Sequence, residues 1–172
     1  MTRSGYGTHS FLNEYIRKNQ VQKIMEIGVH NGRNARQMVE VAKESISPEE
    51  IEYYGFDYFK NERRMEEAKD NLSKTGCIFS LFKGGSADVL PSVVDNLPRM
   101  DVIFIDGGHD YETINSDWEN SRKLMKEDTA VFFHNYNYGG TKKVIESILT
   151  DIFAVDVFSP SGDYKSVLVK KK

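Results

Sequence analysis

The segment Phe104-Ile105-Asp106-Gly107-Gly108-His109-Asp110 sets a carboxylate and an imidazole three residues apart, directly after an apolar run. A histidine changes charge near neutral pH, so a residue at this place can take or give a proton. A carboxylate beside it can orient the ring or bind a hard divalent cation. The two glycines let Asp106 and His109 turn into one cleft. Similar groups follow four other apolar runs. "EIGVHNGRN" carries Glu26, Gly28, His30, Asn31, Gly32 and Asn34; "YYGFDYF" carries Asp57; "KGGSADVL" carries Gly85, Ser86 and Asp88; "FFHNYNYGG" carries His134 and Asn135. Each has an ordinary reading when taken alone: a glycine turn, a loop carboxylate, a helix cap, a partly buried histidine. Their recurrence at five run ends points to one site.

The elements that must position these residues are short runs rich in Ile, Val, Phe and Tyr: 23–29, 52–59, 77–84, 101–106 and 130–134. They do not alternate strictly, which is the pattern of strands buried on both faces. Amphipathic stretches lie between them. Ala35, Met38, Val39 and Ala42 form one stripe; Met65, Ala68 and Leu72 form another, with Asn61 placed as N-cap. Leu90, Val93, Val94 and Leu97 form the third. Tyr111, Ile114, Trp118 and Met125 form the fourth, with Ser121 filling a gap. Val144, Ile145, Ile148, Leu149 and Ile152 form the fifth. Strand–helix alternation of this kind predicts an α/β fold, a parallel sheet with helices on both faces. "FAVDVF" and "KSVLVK" are separated only by "SPSGDY", too short for a crossover, so they are expected to form an antiparallel hairpin. "SFLNEYIRKN" reads as an extra helix. One domain is expected over 1–172, an N-terminal helical segment 1–22 followed by a core 23–172.

The 172 residues suffice for one full core. A net charge of −3 argues against a nucleic-acid partner. No apolar stretch approaches bilayer length, so no membrane association is expected. Cys77 is the one cysteine, which excludes an internal disulfide framework and fits a reducing compartment. It is expected as a buried small hydrophobe opening the third strand. Residues 1–15 hold no apolar run of signal-peptide type, and the expected compartment is the cytoplasm.

In an open parallel sheet, ligands bind beyond the carboxyl ends of the strands. Asp57 there can accept two hydrogen bonds from a ribose diol. "GVHNG" lacks the middle glycine of G-x-G-x-x-G, so the dinucleotide fingerprint is not met.

The ordered set resembles class I S-adenosylmethionine-dependent methyltransferases, in particular small-molecule O-methyltransferases. "IMEIGVHNGRNARQMV" is similar to their E-x-G-x-x-x-G motif, Asp57 to their strand-two acid and "GGSADVLP" to their adenine-flanking turn. The segment from "DVIFID" to "FFHN" is similar to their fourth and fifth strands. The resemblance spans about residues 10 to 170. It implies a Rossmann-like, doubly wound, seven-stranded sheet in a three-layer α/β/α arrangement. Glu26, Gly28 and Gly32 would line the methionine end of S-adenosylmethionine, and Asn31 and Asn34 would belong to the same turn. Asp57 would hold the ribose, Tyr58 would lie against the adenine, and Gly85, Ser86 and Ala87 would flank that ring. Asp106 would sit near the sulfonium. Relatives bind Mg²⁺ at the places of Asp106, His134 and Asn135, and in some sugar-modifying relatives a general base stands at the place of His109.

The strand-five pair in that family usually contains an acid; here it is His134-Asn135, a poor Mg²⁺ donor set. Mg²⁺ and a metal-free histidine base both stay open, with His134 a further catalytic candidate. The acceptor would be a small molecule, its pocket completed by the N-terminal segment, by the loop after His134 or by another subunit of a homodimer. Two other readings stay open. One is an NAD- or nucleotide-binding protein, against which the missing glycine and the C-terminal hairpin argue. The other is a cofactor-binding module without catalysis.

Overall fold

The computed structural model describes residues 9–158 and 165–172. In chain order the elements are α1 (Ser10–Lys18), β1 (Lys23–Ile27), α2 (Arg33–Ala42), β2 (Glu52–Asp57), α3 (Glu62–Ser73), β3 (Ile78–Lys83) and α4 (Ser86–Val93), then β4 (Met100–Ile105), α5 (Tyr111–Ser121), β5 (Met125–Phe133), α6 (Gly139–Ser147), β6 (Phe153–Phe158) and β7 (Ser166–Lys171). The strands form one seven-stranded sheet in the order β3-β2-β1-β4-β5-β7-β6. β1 to β5 are parallel, and β7 runs antiparallel between β5 and β6. The expected hairpin is therefore present. The expected link 159–164 lies outside the described residues, as do residues 1–8. Strand order reverses between β1 and β4, which makes their carboxyl ends the switch point.

The sheet has an apolar layer on each face. Leu12 and Ile16 of α1, Met38 and Val39 of α2, and Ala68 and Leu72 of α3 pack on one face, around Val102, Phe104 and Phe132. Leu90, Ile114, Trp118, Val144 and Ile145 from α4, α5 and α6 pack on the other, around Ile103, Ile105 and Phe133. The central strands fit the reading of double burial: Ile24, Met25, Glu26 and Ile27 are each at most 1% exposed. β3 does not. It has one neighbouring strand, its residues are half-buried or exposed, and Ile78 is 58% exposed. Cys77 precedes this strand and is half-buried; burial pushes its thiol pKa up.

Two boundaries differ from the sequence pattern. β5 begins at Met125, because Met125 pairs with Met100 before a register break. There the Thr129 hydroxyl donates to the Met100 carbonyl and accepts from the Lys126 N–H. This hydroxyl bridging lets the polar "KEDT" stay in the strand, where the sequence suggested a start at 130. α6 ends at Ser147, since Ile148 turns to extended backbone (ψ 129°). Leu149 and Ile152 thus leave the expected stripe and are exposed. The side chain of Asn61 caps α3 by accepting the Arg64 N–H at 3.1 Å, as its position suggested.

Trp118 anchors the α5 face. Its ring lies 5.2 Å from that of Phe153 and 5.8 Å from that of Phe133. Trp118→Ala should cost about 3–5 kcal/mol through the cavity left. Equilibrium urea unfolding checks this as a lower midpoint with an unchanged slope.

Candidate functional site

The turn after β1 is built by close backbone approach. Gly28 has φ +100°, and a Cβ there would lie 2.2 Å from the carbonyl oxygen of Asp106. Gly28 donates its N–H to the Phe56 carbonyl (2.8 Å), and Asp106 donates to that of Ile27 (2.8 Å). The exits of β1, β2 and β4 are thereby tied together. Gly32, at φ +75°, starts α2, and a Cβ there would meet the Cα of Ala68 at 2.8 Å. A side chain at Gly32 would thus push α2 off α3.

Glu26 lies under this turn, 1% exposed. One carboxyl oxygen accepts from Asn34 Nδ2 at 2.7 Å and the other from the Tyr53 hydroxyl. Burial pushes its pKa up to about 7, against the opposing pull of those two hydrogen bonds. The Asn31 carbonyl accepts from Asn71 Nδ2 at 2.9 Å, which pins the turn to α3.

The Asp57 carboxylate closes the β2 exit. It accepts the His30 N–H at 2.8 Å and the Phe59 N–H at 2.6 Å on different oxygens. Each oxygen retains a lone pair for a ligand. The neighbouring Tyr58 is 76% exposed, with its ring standing off the surface. Gly84 donates its N–H to the Asp57 carbonyl at 3.0 Å, so the β3–α4 turn adjoins the same corner. Gly85 caps α4, and Ser86 and Ala87 begin it.

Asp106 is the meeting point of the other two exits. His134 Nδ1 lies 2.8 Å from Asp106 Oδ1, and Asn135 Nδ2 donates to the same oxygen at 3.4 Å. A carboxylate can only accept, so this contact puts the proton on Nδ1 of His134. Asn135 Nδ2 also faces His109 Nε2 at 3.4 Å. His109 is exposed, and its ring stacks on Tyr138 at 4.7 Å. A Cβ at Gly140 would lie 2.1 Å from the His109 carbonyl, so α6 begins against the backbone that carries this histidine. Asp110 then caps α5 by accepting the Thr113 N–H at 2.9 Å.

The donor set does not fit Mg²⁺. Asp106 Oδ1 is engaged by two nitrogen donors, and His134 and Asn135 turn N–H groups, not oxygen lone pairs, toward it. Among the described residues no group of three His, Cys, Asp or Glu side chains could hold a metal ion. The implied Mg²⁺ site is instead a hydrogen-bonded side-chain cluster.

The structure thus brings Asp106, His109, His134 and Asn135 together and joins them to the Gly28 turn, with Asp57, Tyr58 and Ser86 along the same edge. Sequence reasoning missed three contributors. His9 sets its ring edge-on to His134 at 4.8 Å and packs on Phe104, also at 4.8 Å. Burial first, and then the His134 charge, lower its pKa to about 4. No spacing rule links a residue before α1 to the ends of β4 and β5. Tyr53 was read only as strand material. Asp117 sits on the buried stripe of α5 between Ile114 and Ser121, and a carboxylate at that phase was the available signal.

Residues 25–136 match a family model described as a methyltransferase domain. No curated protein matches the sequence. Several solved structures share the fold. The O-methyltransferase TomG from Streptomyces achromogenes, in complex with S-adenosylmethionine, is 17% identical, with a TM-score of 0.75 over 94% of this chain and 78% of that one. An O-methyltransferase from Bacillus cereus, in complex with S-adenosylhomocysteine, is 17% identical at TM-score 0.75, over 94% and 79%. An rRNA methylase from Streptococcus thermophilus is 13% identical at TM-score 0.71, over 94% of each chain.

The raised pKa of Glu26 predicts a pH effect. In the unfolded chain Glu26 loses its proton near pH 4.5, and in the folded protein near 7. Its contribution to stability is therefore full below about pH 4.5, is lost as pH rises toward 7, and is level above that. Between pH 5 and 7 the wild type should lose stability that Glu26→Gln does not lose. Urea unfolding of both proteins across that range measures the difference.

Proposed function

The chain belongs to the methyltransferase-domain family, as a class I S-adenosylmethionine-dependent methyltransferase, and on that premise we propose that it methylates a hydroxyl oxygen of a small molecule, with His109 as the base. The cofactor supplies an electrophilic methyl group on a sulfonium. Gly28 and Gly32 set the tight turn that lines its methionine end, with Glu26, Asn31 and Asn34 shaping that turn. Asp57 offers two carboxylate oxygens to the ribose hydroxyls. Tyr58 covers one face of the adenine, and Gly85, Ser86 and Ala87 border its edge.

The observation that carries the reading is the cluster of Asp106, His134, Asn135 and His109, hydrogen-bonded across the ends of β4 and β5. Displacement at a methyl carbon needs the acceptor oxygen held in line and its proton removed. Asn135 Nδ2 presents its N–H to the lone pair of His109 Nε2 at 3.4 Å, a weak contact at the rim of the cleft. An incoming hydroxyl takes the place of that weak contact and gives its proton to Nε2. Asp106 sets its carboxyl group beside the reacting centre, and His134 and Asn135 hold it in place. His9 and Tyr138 wall the acceptor side with rings. A net charge of −3 weighs against a polyanionic acceptor, and the solved structures named above as O-methyltransferases support oxygen as the receiving atom.

One contact favours a second reading. The 2.8 Å bond from His134 Nδ1 to Asp106 is the arrangement of a carboxylate-oriented base, which would make His134 the proton acceptor.

Turnover and binding separate these readings. His109→Ala should lower kcat by about 10²–10⁴ with little change in S-adenosylhomocysteine affinity. If His109→Ala keeps its rate while His134→Ala loses it, the second reading holds. Asp57→Ala should weaken S-adenosylhomocysteine binding by about 1–3 kcal/mol in calorimetry. Tight binding without turnover over a broad panel of hydroxyl acceptors would make the chain a binding module.

A further inference from the structure

His9 stands where a helix usually keeps a polar cap. It is the N-cap of α1, and its carbonyl accepts the Asn13 N–H at 2.9 Å, yet its side chain makes no capping hydrogen bond. Serine, threonine, aspartate or asparagine at this position would satisfy a free helix N–H. The imidazole instead turns in over the sheet. Its centroid lies 4.8 Å from that of Phe104 and 4.8 Å from that of His134, and those two rings are 6.3 Å apart. The His9 ring thus fills the space between a side chain of β4 and the histidine that follows β5. Burial keeps it neutral, with its pKa lowered to about 4, so it packs beside His134 without charge repulsion.

The His134 ring gains from such a neighbour. Its contact with Asp106 Oδ1 fixes one ring atom, Nδ1. Rotation of a histidine ring about its Cβ–Cγ bond is weakly restricted, and a hydrogen bond tolerates a range of angles. His9 meets this ring at an interplanar angle of 89°, the edge-to-face arrangement that aromatic pairs favour. A swing of the His134 plane would break that fit. The seat of His9 is itself firm. Leu12 and Ile16 bury α1 against the sheet, and the Tyr15 hydroxyl donates to the Asp128 carbonyl at 3.2 Å.

We infer that His9 is a positioning residue, whose ring wedges the His134 imidazole in the plane that keeps Nδ1 hydrogen-bonded to Asp106. The first turn of α1 thereby belongs to the catalytic arrangement. Its effect on turnover rests on the function proposed above, in which His134 holds Asp106 or is itself the base. Its effect on the ring does not.

Histidine-ring NMR and kinetics on the full chain test it. His9→Ser removes the ring and supplies a side chain that can cap α1, so the helix keeps its start. His9→Asn, a second capping residue, serves if His9→Ser does not fold. His9→Phe keeps a flat ring without the nitrogens. In wild type with isotope-labelled histidine, His134 should show an Nδ1–H proton protected from exchange with water. In His9→Ser that proton should be lost to exchange and kcat should fall by about 10–10²-fold, while S-adenosylhomocysteine affinity holds. His9→Phe should restore both the proton and the rate. If His9→Ser keeps the His134 proton, or His9→Phe loses as much as His9→Ser, the inference fails. Absence of the proton in wild type overturns it as well. A loss of S-adenosylhomocysteine affinity as large as the loss of rate assigns His9 to the packing of α1 alone, which also overturns it. If wild type methylates no acceptor, the proposed function fails, and the His134 proton in the wild type and variants still decides this inference.

Discussion

The backbone crossing at Gly28 is the constraint on which the site depends. β1 and β4 are adjacent parallel strands at the centre of the sheet, and the chain must leave both at the same edge. Only the absence of a Cβ at Gly28, together with its left-handed φ, lets the first exit run against the Asp106 carbonyl. That approach fixes Asp106 relative to the glycine turn, and through Asp106 it fixes His134 and Asn135. The Asp57 carboxylate draws the β2 exit into the same frame by holding the His30 N–H. The site is accordingly an arrangement of strand ends, and its precision is that of the hydrogen-bonded ladder beneath it.

The polar groups at this edge differ in how far they are satisfied. Glu26 is fully engaged by Asn34 and Tyr53, so it shapes the turn from below. Asp106 is held by nitrogen donors at the place where the sequence resemblance implied a Mg²⁺ ion. Replacing an acid by His134 changes the chemistry of the place more than its geometry. A carboxylate there would repel Asp106 and need a cation between them, whereas an imidazole N–H satisfies Asp106 directly. Asn135, with a left-handed φ of 59°, then turns its amide across to His109.

Much of this was legible in residue order. Five apolar runs, each closed by Gly, carboxylate, His or Asn, indicated the parallel sheet and the edge where these polar groups gather, and the short gap after Phe158 indicated the antiparallel hairpin. The failures came where tertiary contacts override local pattern. β5 starts early because Thr129 repairs its register with a hydroxyl, and no apolar periodicity announces that. β3 is half exposed because it ends the sheet, a fact of strand order that composition does not carry. Within the site, Asp106, His134 and Asn135 were found by their strand ends. His9 was not, since its place beside His134 depends on how α1 lies over the sheet. Asp117 was overlooked because the helix stripe was read for its apolar members.

The position of β7 has a consequence for biosynthesis. β5 carries His134 at its end, yet its second neighbour is made of residues 166–171, which are translated more than thirty residues later. Until they emerge from the ribosome, the inner strand presents a bare row of N–H and C=O groups, a template on which other nascent chains can pair. A strand made after both of its neighbours is thus the one that joins them. A chain cut short before it would keep Gly28, Asp57, Asp106 and Asn135 and still be prone to aggregate.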